Sequence, residues 1–396
     1  MKRILYLFMI IPLLLCSCKV TKEQGASFTQ TPSDREEKED KFISAVWLSY
    51  NEIASLSKGK SEREFRNEII DLAANLLSNN FNTLIVHAVA FCDSFYESKI
   101  LPKSERLDKN ISYDVFKIIT ELCSDAGISV QAWINPYRVS AKADLKVLES
   151  NPAAKMLYSS DKNSILITDS EIYLNPASRQ VQKLILDSVR EIIKNYNVTA
   201  VHIDDYFYPD MSSFSDRESF SSYRKSGGKL SVEAFRRENV NNLISALHFL
   251  LNTYGKKLAI SPVADMEKNF LLKYADVSLW LENGWADYII PQIYFGFENE
   301  TMPFENVLES WVENTKDKPT CLIIGLAAYK CGEEDENAGS GKNEWVENSF
   351  VLSRQVKLIL RKNTIYGVAF FSYSHIFDKK SKKITKKELQ IIKSML

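Results

Sequence analysis

Residues 178–209 read SRQVQKLILDSVREIIKNYNVTAVHIDDYFYP, and they place two different periodicities end to end. In the first part Val181, Leu184, Ile185, Val189 and Ile192 recur at the spacing of one helix face. The β-branched run from Thr199 to Ile203 then meets two adjacent acids, Asp204 and Asp205, followed by aromatics and Pro209. A helix that feeds straight into an apolar strand is part of a βαβ repeat, the unit of parallel sheets. Paired acids at the mouth of such a strand are costly to desolvate unless something uses them.

The same alternation recurs along the chain. Strands are expected at 42–50, 83–90, 129–136, 199–206, 257–264, 286–295, 321–330 and 366–374. Amphipathic segments such as SEREFRNEIIDLAANLLSNN (61–80) separate them, and TKKELQIIKSML (385–396) follows the last. Strands apolar on both faces need helices on both sides. Eight such units predict an α/β fold, a closed (β/α)8 TIM barrel, rather than an open doubly wound sheet. No strand is followed by G-x-G-x-x-G. The GSGK at 339–342 has Glu336 where a phosphate loop needs glycine and Asn343 where it needs Ser or Thr. Long βα loops are expected after strands 3 and 4, from Ser140 to about Pro176 and from Pro209 to about Gly228. In a barrel these lie on the substrate face.

The 396 residues carry 50 basic and 51 acidic side chains, so no concentrated basic surface for nucleic acid is indicated. No obligate protein partner is evident either. Residues 1–17 read as a signal peptide: Lys2 and Arg3 precede ILYLFMIIPLLL, which is shorter than a membrane-spanning helix requires. The following LCSC resembles a bacterial lipobox with Cys18 as the lipidated residue, which implies an extracytoplasmic, membrane-anchored protein. Residues 18–41 read as the lipidated cysteine and a polar tether, and 42–396 as the folded domain. Cys92, Cys123, Cys321 and Cys331 match no zinc spacing and read as buried free thiols.

Period-two alternation sorts each strand's side chains. Val201 and Ile203 suit the helix layer, so His202 and Asp204 are expected inside the barrel, with Asp204 nearer the mouth. Gln131, Trp133 and Asn135 share an inner face, as do Gln292 and Tyr294; Trp47, His87 and Ser261 complete the ring. Amides, imidazoles and aromatics around a carboxylate suit a sugar, whose ring has apolar faces and a hydroxyl edge. Glycoside hydrolysis needs two carboxyl groups. Asp204 is the first candidate; Asp205, Glu298, Asp265 and Asp93 all lie just past strand ends as possible partners. An Asp at such a junction equally well caps a helix. Histidines 87, 202, 248 and 375 show no H-x-H or H-E-x-x-H spacing, so neither a metal nor another cofactor is expected.

The blocks AWINPYRV, YLNP, AVHIDDYFYP, ADYIIPQIYFGFEN, IGLAAYK and GVAFFSYS resemble the bacterial glycosyl hydrolase-like 10 family, in order, from about Val46 to Phe377. The resemblance implies a secreted or lipid-anchored (β/α)8 glycosidase acting on cell-wall or other polysaccharide glycans. It implies that Asn135, Tyr137 and Arg138 line the site, that Asp204 and Asp205 are the central acids, and that Gln292 and Tyr294 contact substrate. Two departures stand out. Val89 and Ala90 occupy the place of an Arg-Pro pair, and Ser261 to Asp265 reads SPVAD where the family has SPQGN.

The expectation is therefore a glycoside hydrolase. Asp204 is one catalytic carboxylate and Asp205 or Glu298 its partner, while His87, His202, Tyr206 and Asp265 join the resemblance-implied residues in binding glycan. The alternative, motivated by the two departures, is a glycan-binding lipoprotein on the same barrel that has lost turnover.

Overall fold

The computed structural model describes residues 42–211, 214–347, 350–378 and 382–396. Eight parallel strands close into a barrel: β1 (Ile43–Leu48), β2 (Thr83–Val89), β3 (Ser129–Ile134), β4 (Ala200–Ile203), β5 (Lys257–Ile260), β6 (Tyr288–Ile289), β7 (Cys321–Leu326) and β8 (Ile365–Phe370). Each pairs with its neighbours in sequence, and β8 pairs with β1. A covering helix follows every strand, ending with Lys383–Met395 after β8. The expected barrel is the observed one. No helix among the described residues is long and apolar enough to cross a membrane.

The strands are shorter than their apolar runs because pairing stops before the mouth. In β4 the last ladder contact is Ser261 N–H donating to the Ile203 carbonyl at 2.7 Å, so Asp204 and Asp205 have left the ladder. Alternation is obeyed. Val201 and Ile203 enter the large apolar cluster between strands and helices, while Ala45, Trp47, Ile85, Trp133, Ala259, Ile290, Ile323 and Ala369 pack together inside. Small residues on some strands make room for two indoles. Gly325 shows why: a Cβ there would sit 3.2 Å from the Trp47 ring and 2.9 Å from the Pro291 carbonyl.

Between β3 and its helix Arg179–Asn195, the chain forms a three-stranded antiparallel sheet of Arg138–Ser140, Ile165–Ile167 and Ile172–Leu174. After β4, residues 217–225 form a helix. A third long connection, residues 90–114 after β2, was not anticipated from the sequence. Among the described residues the cysteines form no disulfide; Cys92, Cys123 and Cys331 are buried, but Cys321, expected buried, is only partly so.

A buried ion pair ties the β4 connection to the barrel. Arg236 donates to both Asp216 oxygens, at 2.8 and 2.7 Å, and to the Tyr274 hydroxyl at 2.7 Å. The three residues come from the β4 connection, the helix Val232–Thr253 and the segment after β5. Removing one partner of such a pair strands the other charge away from water. Asp216→Ala is expected to lower the unfolding free energy by about 3–5 kcal/mol in chemical denaturation. Glu62→Ala, in an exposed pair with Arg66, should cost less than about 1 kcal/mol.

Candidate active site

An open cleft of about 470 Å3 lies at the C-terminal mouth of the barrel, with Asp204 and Asp205 in its wall. This volume falls in the range of small-ligand sites. Asp204 is 3% exposed. One carboxyl oxygen accepts the Trp133 indole N–H at 2.9 Å and the other a long contact from the Tyr206 N–H at 3.4 Å. Burial, and then the neighbouring charge of Asp205, push its pKa well above the usual carboxylate range. The Trp133 bond and the more distant Arg138 oppose that rise without cancelling it. Asp205 sits in a different environment: its side chain is 17% exposed, accepts the Gln292 amide at 3.1 Å and faces the Lys273 ammonium at 3.8 Å.

The floor beneath the acids is a ring network. His87 stacks on Trp133 with centroids 3.2 Å apart. The Tyr50 backbone N–H donates to His87 Nδ1 at 3.1 Å, which leaves the imidazole proton on Nε2. Trp47 Nε1–H donates to His202 Nε2 at 3.3 Å, so His202 carries its proton on Nδ1 toward the Gln131 oxygen, also at 3.3 Å. Burial holds both imidazoles neutral; His202 is pushed down to about 3 and His87 well below its ordinary value.

Of the residues singled out from the sequence, His87, Asn135, Arg138, Asp204, Asp205, Tyr206, Gln292 and Tyr294 all line the cleft. Arg138 lies over the rings of Tyr206 and Phe91, at 4.1 and 4.9 Å, and pairs loosely with Glu171 at 3.5 Å. Five other candidates do not line it. His202 lies under the floor, bonded to Trp47 and Gln131. Tyr137 is wholly buried in the main apolar cluster. Asp265 caps the helix Met266–Leu271, accepting from Glu267 and Lys268 N–H at 2.9 and 3.1 Å. Glu298 is exposed beyond Gly296, where the Phe297 and Glu298 N–H groups donate to the buried Glu344 carboxylate and hold the loop away. Asp93 is also outside, folded back onto the Phe91 N–H. Of the acids expected from the sequence as partners, Asp205 is the one that lines the cleft with Asp204.

The sequence reading missed a whole wall. Tyr50, Glu52, Tyr329, Phe371, Ser372 and His375 line the cleft as well. Glu52 accepts from the Ser49 N–H and Ser374 N–H, both at 2.6 Å, and from the Ser372 hydroxyl at 2.7 Å. It thereby joins the ends of β1 and β8. The signal was present: Ser49 and Glu52 form a capping box, S-x-x-E, at the first strand's end. Among the described residues, no group of three or more His, Cys, Asp or Glu side chains could hold a metal ion.

Residues 42–345 match the family described as Glycosyl hydrolase-like 10. The glycosyl hydrolase YngK of Bacillus subtilis is 29% identical over 348 residues, 81% of this chain and 67% of that protein. The glycosyl hydrolase DigH of Escherichia coli K12 is 26% identical over 410 residues, 92% of this chain and 91% of that one. Among solved structures, the glycoside hydrolase domain of PgaB from Bordetella bronchiseptica superposes with a TM-score of 0.60 at 12% identity, covering 89% of this chain and 99% of that one. An exo β-N-acetylglucosaminidase of Vibrio harveyi gives 0.53 at 12% identity, over 89% of this chain and 54% of that one. At such identities the two structures establish the barrel fold.

The raised pKa of Asp204 has a consequence for stability. Above the unfolded carboxyl pKa of about 3.9, the folded state keeps a proton that the unfolded chain releases, so stability falls as pH rises until the folded pKa is passed. Asp204→Asn is neutral throughout. Its thermal midpoint should match the parent near pH 4 and exceed it by a margin that grows with pH until the folded pKa is passed; an equal midpoint at every pH would show that the carboxylate is already compensated.

Proposed function

Since the chain belongs to the glycosyl hydrolase-like 10 family, we propose that it hydrolyses O-glycosidic bonds of an extracytoplasmic glycan, with Asp204 and Asp205 as the working pair of carboxyl groups. The observation that carries this reading is the contrast between two buried acids. Asp216 is paired with Arg236 and lies outside the cleft, as a structural carboxylate should. Asp204 is as deeply buried, bonds to no cation, and opens onto the cleft. A site that raises a carboxyl's pKa well above the ordinary range favours the acid form, the one able to donate a proton.

In this reading the Asp204 carboxyl gives its proton to the glycosidic oxygen as the bond from that oxygen to the sugar's anomeric carbon breaks. Asp205, placed by Gln292 and Lys273, faces the positive charge that develops on the sugar ring. Water then completes the hydrolysis. Trp133 aims the acid, and the His87 ring stacked on it holds it in place. The names of YngK and DigH, both glycosyl hydrolases, support this class of chemistry. Cell-wall glycan is the substrate that best suits an anchored protein outside the cytoplasm.

The anchor is Cys18, which with the signal segment lies outside the described residues. The charged start, the short apolar run and the LCSC sequence support it. Cys18→Ala should move the protein from the membrane pellet to the soluble fraction; persistence in the pellet overturns the anchor.

The enzymatic test is reducing-end release from peptide-free cell-wall glycan and common polysaccharides by the purified domain. Asp204→Asn should lower kcat about a hundred- to ten-thousand-fold. The parent's rate should fall as pH rises through the Asp204 pKa, because the working form is protonated. Glycan binding by the parent without release would favour the non-catalytic binding protein instead.

A further inference from the structure

Resting on the reading that the barrel takes a glycan, we propose that its substrate is a chain longer than the catalytic cleft, whose further sugars cross Tyr329 into a second hollow beside β8. That hollow measures about 280 Å3 and lies against the segments after β7 and β8. It shares Tyr329, Ser374 and His375 with the catalytic cleft, so the two spaces are separated by one line of side chains. Its far wall includes Glu333, Lys382 and Thr385.

An aromatic wall leads from one space to the other. Trp47, on the cleft floor, lies 6.1 Å from Phe371; Phe371 lies 6.1 Å from Tyr329, and Tyr329 lies 6.1 Å from His375. Tyr294 supports Tyr329 from the cleft side at 5.9 Å. Pyranose rings present their C–H faces to such surfaces, so the wall is a track for consecutive sugars. Beyond Tyr329 the lining turns polar. Lys382 pairs with Glu333 at 2.5 Å and also donates to the Gly332 carbonyl. Charged partners make the stronger hydrogen bonds to hydroxyls, and an ion pair at the end of an aromatic track suits a sugar better than an apolar ligand.

Binding energy from the distant sugars helps to seat the reacting one. None of the second hollow's own residues bonds to Asp204 or Asp205, so they can be altered without touching the acids. The double variant Glu333→Ala, Lys382→Ala removes one charge of each sign, and both side chains are substantially exposed, at 58% and 45%.

The probes are graded oligomers of N-acetylglucosamine and of peptide-free cell-wall glycan, from disaccharide to octasaccharide. The parent's kcat/KM should rise about tenfold or more with length, mostly through KM. The double variant should lose most of that rise while matching the parent on the shortest cleaved oligomer. A parent indifferent to length, or a variant that keeps the full rise, overturns the second hollow as a binding site. If the parent cleaves none of these chains, the hydrolytic reading fails separately. Calorimetric titration with the same oligomers then decides the hollow: tighter binding of longer chains, lost in the variant, upholds it. Equal affinities at all lengths, or no binding, overturn it.

Discussion

The Trp133 indole N–H reaches the Asp204 carboxyl at 2.9 Å, and much of the rest of the cleft is arranged so that this bond can exist. A lone buried acid is tolerable only if it is neutral or well bonded. Here a single firm bond and a long one hold it, so the donor must not move. Trp133 is held on one face by the stacked His87 ring and approached at its edge by His202. Those histidines are in turn held by the Tyr50 N–H and by Trp47. Four strands, β1 to β4, thus contribute to the position of one carboxyl group. The small residues elsewhere on the inner face, with Gly325 the clearest, leave the space that two indoles need.

How much of this was legible follows from what a strand's periodicity can and cannot carry. The strand count, the barrel and the inward direction of His202 and Asp204 all rest on local alternation, and a local pattern survives whatever the tertiary contacts do. Direction is lost where the strand ends. Asp265 and Glu298 both stand a few residues past a strand, as Asp205 does, yet one turns back to cap a helix and the other is carried off with a loop pinned to Glu344. Distance along the chain says nothing of that turn. The wall containing Glu52 and Ser372 depends on β8 meeting β1 across 320 residues. That closure belongs to the whole barrel, so neither segment announces it alone. His202 is the instructive middle case: its inward direction was readable, but its depth was not, and one layer of side chains separates it from the cleft.

The two departures from the family pattern also look different in three dimensions. Val89 and Ala90 are buried among apolar side chains, and the Ala90 carbonyl accepts the Asn135 amide at 3.2 Å. The absent arginine side chain is therefore not an empty space in the cleft. Arg138 already supplies a guanidinium there, stacked between Tyr206 and Phe91. At the fifth strand, Ser261 remains in the wall and Asp265 has become a helix cap. Neither change disturbs the bonds that hold Asp204.

The division of labour between two adjacent acids follows from the place where the ladder stops. While a strand is paired, neighbouring side chains point to opposite sides of the sheet. Asp204 continues that pattern inward, where burial favours the proton. Asp205, one residue later and past the last ladder bond, is free to turn along the rim, where Gln292 and Lys273 meet its charge. Two acids on a continuing strand would have been split between cleft and helix layer, and the second would have been lost to the site. Two acids both beyond the ladder would have met similar solvent and similar neighbours. Ending β4 at Ile203 gives one carboxyl group the interior, where burial raises its pKa, and the other the mouth, beside Gln292 and Lys273.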